Sequence, residues 1–282
     1  MAVEKVTVYF PDRSIKQGYP SLFKEMVGDV INTKWLTWQL FKRNFSALYR
    51  QSLLGIAWVL IMPLASVGTF VFLNASGLFN MGVITIPYPL FAVAGVALWQ
   101  LFAIGLVLGA NSLVSASSMV TKINFPREPL VISAVAQGAV SSLIQIGIVF
   151  ILFAVYQIIP PLTMLLVPLA MIPLLALTLG LGFILSLINA VLRDAGNMIS
   201  VVILFLLFLT PVLYAKPTSG IAAVASRYNP LYYLVSVPRD LLVFGGTVEW
   251  QGYMYSTLFA FVVLFACWMA FHLTTTRITE RI

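Results

Sequence analysis

Long apolar runs separated by short polar breaks set the organisation of this chain. Runs close to 20 residues cover about 55–73, 90–110, 131–158, 162–192, 198–214 and 253–273. Crossing a hydrocarbon core of about 30 Å takes about 20 apolar residues in a helix. The pattern therefore predicts an all-α integral membrane protein with six transmembrane helices. Pro168 and Pro173 lie inside the fourth run and predict a kink, because proline removes a backbone donor and clashes with the preceding turn. Pro211 stands near the end of the fifth.

The segment before the first run reads differently. Residues 1–20 are polar and carry Pro11 and Pro20, with one short strand-like stretch from Val6 to Phe10. From 21 to 50, Leu22, Phe23, Met26, Val27, Val30, Ile31, Trp35, Trp38, Phe41, Phe45, Leu48 and Tyr49 recur at steps of three and four. That spacing makes one helical stripe. Tryptophans and basic residues on such a stripe predict an amphipathic helix lying in the membrane interface. The alternative is a cytoplasmic helix packed on the protein's own core. Residues 1–50 thus form an N-terminal segment and 51–282 the transmembrane domain.

Between the fifth and sixth runs the pattern breaks again. Ile221–Tyr228 and Leu231–Phe244 are apolar but too short to span, and Asn229-Pro230 separates them. Two half-helices broken at Asn-Pro predict a re-entrant hairpin, over about 217–245, dipping in from the outer face. Broken backbone is tolerated at depth only inside protein or along a wet cavity. A segment lying flat on the outer face is the alternative.

Composition sharpens the class. Of 282 residues, 61% are hydrophobic and 9% charged, far from the roughly 25% charge of globular chains. From Gly55 to Ala190, a stretch of 136 residues, the only charged side chains are Lys122, Arg127 and Glu128. The start of the chain has charged residues and no apolar core after them, so no signal peptide is expected and the N-terminus is placed in the cytoplasm. On that topology the inner segments hold thirteen Lys and Arg and the outer ones three, Lys216, Arg227 and Arg239. This asymmetry predicts both termini inside. The basic residues sit beside spans, so the net charge of +7 reads as lipid and topology contacts and not as nucleic-acid binding.

Enzymatic and ion-coupled chemistry finds little to work with. No carboxylate pair falls at helical spacing inside a span, and no His, Cys, Asp and Glu group has metal spacing. No catalytic or metal site and no bound cofactor are expected. His272 is the only histidine, near the inner end of the last span, and reads as a satisfied side chain. No Gly-Lys dipeptide occurs anywhere, so no phosphate-binding loop is present. Uphill transport would draw its energy from another chain. Attention then falls on the single charged window, Asn124-Phe125-Pro126-Arg127-Glu128, which must lie in water or against a partner. An aromatic on a rigid, charged turn suits a partner's pocket. Arg193 and Asp194, in the next inner loop, are either a companion contact or a local cap with its ion pair.

These residues carry a resemblance. Tyr49-Arg50-Gln51-Ser52-Leu53-Leu54-Gly55-Ile56-Ala57-Trp58, ending at Pro63, resembles the approach to the first span in ABC-2-type permeases, most of all the branch exporting bacterial polysaccharides (O-antigen, capsule, teichoic acid). Asn124-Phe125-Pro126-Arg127-Glu128 resembles that branch's first cytoplasmic loop. Asn229-Pro230-Leu231 with Arg239-Asp240 resembles its re-entrant region, and order and spacing agree from about residue 21 to the end. The resemblance is greatest to O-antigen exporter permeases. It implies a homodimer in the bacterial inner membrane, bound to two copies of a separate ATPase that holds ATP and Mg²⁺. It also implies a coupling helix in the first cytoplasmic loop and a polyprenyl-linked glycan as cargo.

A sugar polymer can pass a largely uncharged path, stacking on aromatic rings and exchanging hydrogen bonds with hydroxyl and amide groups. Candidates are Trp58, Trp99, Gln100, Phe102, Asn111 and Ser112 along the first two spans, and Tyr214, Tyr228, Tyr232 and Tyr233 at the outer end. Aromatic belts and small helix-contact residues give a similar composition. Arg50, with Lys42 and Arg43, is placed to attract a diphosphate headgroup or anionic membrane lipid. Rival expectations are a small-molecule exporter permease of the same superfamily, a membrane-embedded enzyme acting on polyprenyl lipids, and a passive channel.

Overall fold

The computed structural model describes residues 19–49, 54–77, 84–122, 125–192, 194–217 and 219–278. The strand-like Val6–Phe10 lies outside them. Every regular element among the described residues is helical: α1 (Tyr19–Asn32), α2 (Lys34–Tyr49), α3 (Trp58–Ala75), α4 (Tyr88–Ser115), α5 (Ser117–Val120), α6 (Glu128–Val155), α7 (Val167–Ala170), α8 (Ile172–Val191), α9 (Ala195–Leu209), α10 (Gly220–Tyr228), α11 (Pro230–Val243) and α12 (Trp250–Ile278). Four segments are long and apolar enough to cross a membrane: Tyr88–Ser115, Glu128–Val155, Leu162–Val191 and Trp250–Thr275. α3 and α9 are shorter apolar helices.

α4 is the axis of the molecule. It packs along α6 and α8, and α11 and α3 lie against it as well. Eighteen of its residues are buried, including Leu90, Leu98, Trp99, Leu101 and Phe102. Side chains that are apolar on every face suit a helix surrounded by neighbours on every side. The α4–α6 contact is close because of glycine. A Cβ on Gly138 would stand 2.7 Å from Gly105 Cα and 2.7 Å from the Leu101 carbonyl oxygen. Small residues let membrane helices gain contact where water expulsion offers no driving force.

The kinked fourth run is observed as expected. A 3₁₀ turn at Leu162–Leu166 leads into α7, and Met171 separates α7 from α8. Pro168 and Pro173 each occupy a first-turn position, where a missing N–H leaves no bond unmade. The fifth run departs from expectation. The apolar pattern predicts helix to residue 214, but α9 stops at Leu209. Thr210 is extended (φ −102°, ψ 123°) because Pro211 follows it. The N-terminal stripe folds as α1 and α2, joined by a tight turn at Thr33. Leu22, Met26 and Leu40 are buried in the protein, as a helix packed on the protein's own core requires, while Trp35 and Trp38 are 69% and 55% exposed. α2 packs on α6, and Phe23 meets Phe265 of α12 at 5.8 Å.

The Asn-Pro break is also observed. α10 and α11 are separate helices that meet at Asn229. Asn229 caps α11, its side-chain oxygen accepting from the Leu231 amide at 3.0 Å, and Pro230 sits in the first turn. α11 ends at Gly245, whose φ of 79° gives the left-handed backbone that glycine adopts without strain. α11 is buried along nearly its whole length, from Leu231 to Val243.

Candidate functional site

The sequence singles out the turn before α6, and the fold turns much of it inward. Arg127 is 9% exposed and Glu128 only 2%, so neither stands in water as expected. A buried ion needs a partner, and both have one inside the chain. Glu128 Oε1 lies 2.7 Å from His272 Nδ1 of α12. Arg127 Nη1 donates to the Thr275 carbonyl oxygen at 3.3 Å, one helical turn further along α12. Glu128 also stands in the first turn of α6, where the helix dipole favours a negative charge. Phe125 is half-buried against a small apolar cluster that includes Leu113, Leu130, Phe183 and Phe271. Pro126 is half-buried too. Asn124 lies outside the described residues, as do Arg193 and Arg50. Asp194 is exposed and makes no side-chain cap bond to α9.

The third member of this cluster was not legible in the sequence. Asp29 of α1, Glu128 and His272 bring their ligand-type atoms within 4.8 Å of one another, where the sequence spacing shows no metal-like group. Two donors on one tetrahedral Zn²⁺, at about 2.0–2.2 Å each, would stand roughly 3.3 Å apart. The 2.7 Å between Glu128 and His272 is instead a hydrogen-bond separation. Burial, and then the nearby Glu128, push the Asp29 carboxyl up to about 6.

A second group lies in the same half of the molecule. A cavity of about 290 Å³ is lined by Arg43, Asn44, Asn111, Ser112, Ser115 and Gln137, among others. Beside it, Asn189 Nδ2 donates to Asn111 Oδ1 at 3.0 Å and to the Ala110 carbonyl oxygen at 3.1 Å. Asn189 Oδ1 accepts from the Gly196 amide at 2.8 Å. One buried amide thus fixes the start of α9 against α4 and α8. Along α6, Ser133, Gln137, Ser141 and Gln145 are buried at four-residue steps. That four-residue spacing is legible in the sequence as one polar stripe of a helix.

The opposite end gathers the other candidates. Asn229 Nδ2 donates to Thr210 Oγ1 at 2.8 Å, joining the α10–α11 break to the end of α9. Arg239 is 6% exposed, bonded to Asp240 Oδ1 at 3.0 Å and to the Pro211 carbonyl oxygen at 3.1 Å, with its guanidinium 4.1 Å from the Phe91 ring centroid. It ties α11 to the segment after α9. Tyr232 and Tyr233 are buried, edge to face at 4.9 Å, and Lys216 Nζ stands over both rings at 4.9 and 5.7 Å. Lys216 is also paired with Glu249 at 2.5 Å. A cavity of about 600 Å³ opens between Lys216, Arg227, Tyr233, Glu249 and Gln251.

Several expected path residues do not face open space. Trp99 and Phe102 are 4% and 1% exposed, paired at 5.4 Å in the core around α4. Their helix is central to the protomer, so aromatics on it fill the interior. Tyr232 is buried likewise. Tyr214 is half-buried, its hydroxyl donating to the Phe208 carbonyl oxygen at 2.6 Å. Tyr228, at 78%, and Trp58, at 38%, are exposed.

Comparison with known proteins follows the same elements. The family model for ABC-2 type transporters matches residues 36–243, from α2 to the end of α11. The chain is 27% identical over 217 residues to the O-antigen export system permease protein RfbA of Myxococcus xanthus, covering 75% of this chain and 81% of that protein. It is 27% identical over 215 residues to a protein of the same name from Klebsiella pneumoniae, covering 74% and 80%. A second Klebsiella pneumoniae relative is 26% identical over 229 residues, covering 79% and 86%. The family match spans the turn before α6 and the α10–α11 break, and the chain belongs to the ABC-2 type transporter family.

Proposed function

We propose that this chain is the membrane permease subunit of an ABC exporter that moves a lipid-linked, O-antigen-like polysaccharide across the bacterial inner membrane. Two copies form the permease, and two copies of a separate ATPase drive it with ATP and Mg²⁺. Each protomer crosses six times with both termini in the cytoplasm. α3 and α9, the shorter apolar helices, are crossings, and α10–α11 is the re-entrant hairpin at the outer face. The observation that carries this reading is the similarity to three O-antigen export permeases over about three-quarters of the chain.

The roles we assign rest on the sequence motifs and on which described side chains are exposed. The turn from Asn124 to Glu128 receives the ATPase, and Arg193 and Asp194 of the next inner loop make a companion contact. Phe125, half-buried, supplies the apolar ring of this contact. The exposed Trp35 and Trp38 rest in the headgroup layer. Arg43, on the polar cavity below α6, and Arg50 draw the diphosphate headgroup of the cargo. Exposed Trp58 and Tyr228 remain candidates for contact with the passing glycan. Lys216 with Tyr233 offers a cation and an aromatic face near the outer cavity.

Deleting the gene tests this reading. Lipid-linked glycan is expected to accumulate inside the cell, and the intact gene restores export. Unchanged surface polysaccharide and no lipid-linked intermediate in the deletion strain contradict it.

A further inference from the structure

The turn before α6 is gripped by the last helix through two consecutive residues. Arg127 holds the Thr275 carbonyl oxygen, and Glu128 holds His272. Thr275 in turn donates to the His272 carbonyl oxygen at 3.2 Å, so both grips close on one turn of α12. Asp29 adds α1 to the same knot. Glu25 of α1 is a further charge that faces His272 from that helix. Glu128 and His272 are 144 positions apart, yet both side chains are more than nine-tenths buried.

We propose that Glu128, His272 and Asp29 form a joint that makes the turn before α6, the helix α1 and the inner end of α12 shift as one body. Positioning, not chemistry, is its role. A charge-assisted hydrogen bond is short and directional, and in a water-poor setting its partners resist separation more than apolar side chains resist sliding. Contacts between Phe125 and its apolar neighbours can slip, but the Glu128–His272 bond cannot slip without exposing a buried ion. A push on the turn therefore reaches α12 directly and does not dissipate at the end of α6. This inference rests on the proposal that the turn receives the ATPase.

The test uses the complete complex of this chain with its ATPase in liposomes. Spin labels at Lys122 and Thr274, both exposed, read the separation of the turn from α12 without any cargo. In the wild type this separation is expected to stay fixed as nucleotide binds and is hydrolysed. In His272→Ala it is expected to change with nucleotide. Lipid-linked glycan moved per ATP hydrolysed should then fall about tenfold while hydrolysis stays within about twofold, a loss within the range of typical couplings between sites. The exchange of Glu128→His with His272→Glu should recover most of that loss, which a variant that merely loosens the fold would not do. If His272→Ala does not assemble, His272→Phe decides, since it keeps most of the volume and removes the hydrogen bond. A fixed label separation and unchanged glycan per ATP in the assembled variant overturn the joint. A wild-type complex that hydrolyses ATP but moves no glycan contradicts the transport reading, and the label separation then still decides the joint.

Discussion

At the residue scale, the clearest physical signature is a carboxyl group held against its usual preference. Asp29 is raised from 3.8 to about 6, first by burial and then by Glu128, with His272 pulling the other way. Its folded value lies above its unfolded value, so the folded state binds more protons between pH 4 and 6. Stability contributed by this group is therefore present below about pH 4 and is lost as pH rises through about 6. Asp29→Asn removes that loss. We expect the variant to melt at a higher temperature than wild type at pH 8, and at about the same temperature at pH 4. Thermal unfolding in detergent at both values checks this, and equal shifts at the two pH values contradict it.

A second residue-scale expectation concerns the glycine contact. In Gly138→Ala the added Cβ meets Gly105 and Leu101 backbone atoms at 2.5–2.7 Å, and backbone does not yield as a side-chain tip would. Overpacking of this kind costs about 1–3 kcal/mol. The loss should appear as a lower melting temperature and a smaller monodisperse fraction in detergent. Gly147, with nothing within 4 Å of its added Cβ, should accept alanine without loss.

At the scale of elements, the α10–α11 break is held by one side chain that serves two neighbours. Asn229 caps α11 and bonds Thr210 at the end of α9. Asn229→Ala should cost about 1–2 kcal/mol from the cap alone. The double variant with Thr210→Val should be less destabilised than the sum of the singles, because both remove the same bond. Additive losses would show that the two residues do not act together.

These elements also show where the sequence was informative. The break at Asn229-Pro230 and the kink around Pro168 and Pro173 were legible because proline and a capping amide act locally. The fifth run extended too far because apolar composition is continuous past Leu209, and only the restriction on Thr210 before Pro211 ends the helix. Burial was the least legible property. Trp99 and Phe102 carry the same aromatic signal as Tyr228, and nothing local says that α4 is surrounded while Tyr228 is not. The inward turn of Arg127 and Glu128 depends on partners 148 and 144 residues away, beyond any periodic pattern. The lone histidine and the lone acid of the long apolar stretch were, however, the two residues in most need of partners.

At the scale of the whole molecule, α4 is one of four long apolar segments among the described residues, and α6, α8, α11 and the shorter apolar helices α3 and α9 pack against it. The few charges buried in this body are tied to one another or to backbone carbonyls. On the proposed function, such a body guides a polar chain past aromatic rings and amides, and the turn before α6 is its proposed link to an energy source. The most direct test is transport by the purified chain in liposomes, with and without its partner ATPase, using a lipid-linked glycan that a membrane-impermeant enzyme can cleave only after it crosses. The account predicts that cleavage requires this chain, the ATPase and hydrolysable ATP together. Crossing by the chain alone, at the rate of the complete complex, would contradict it.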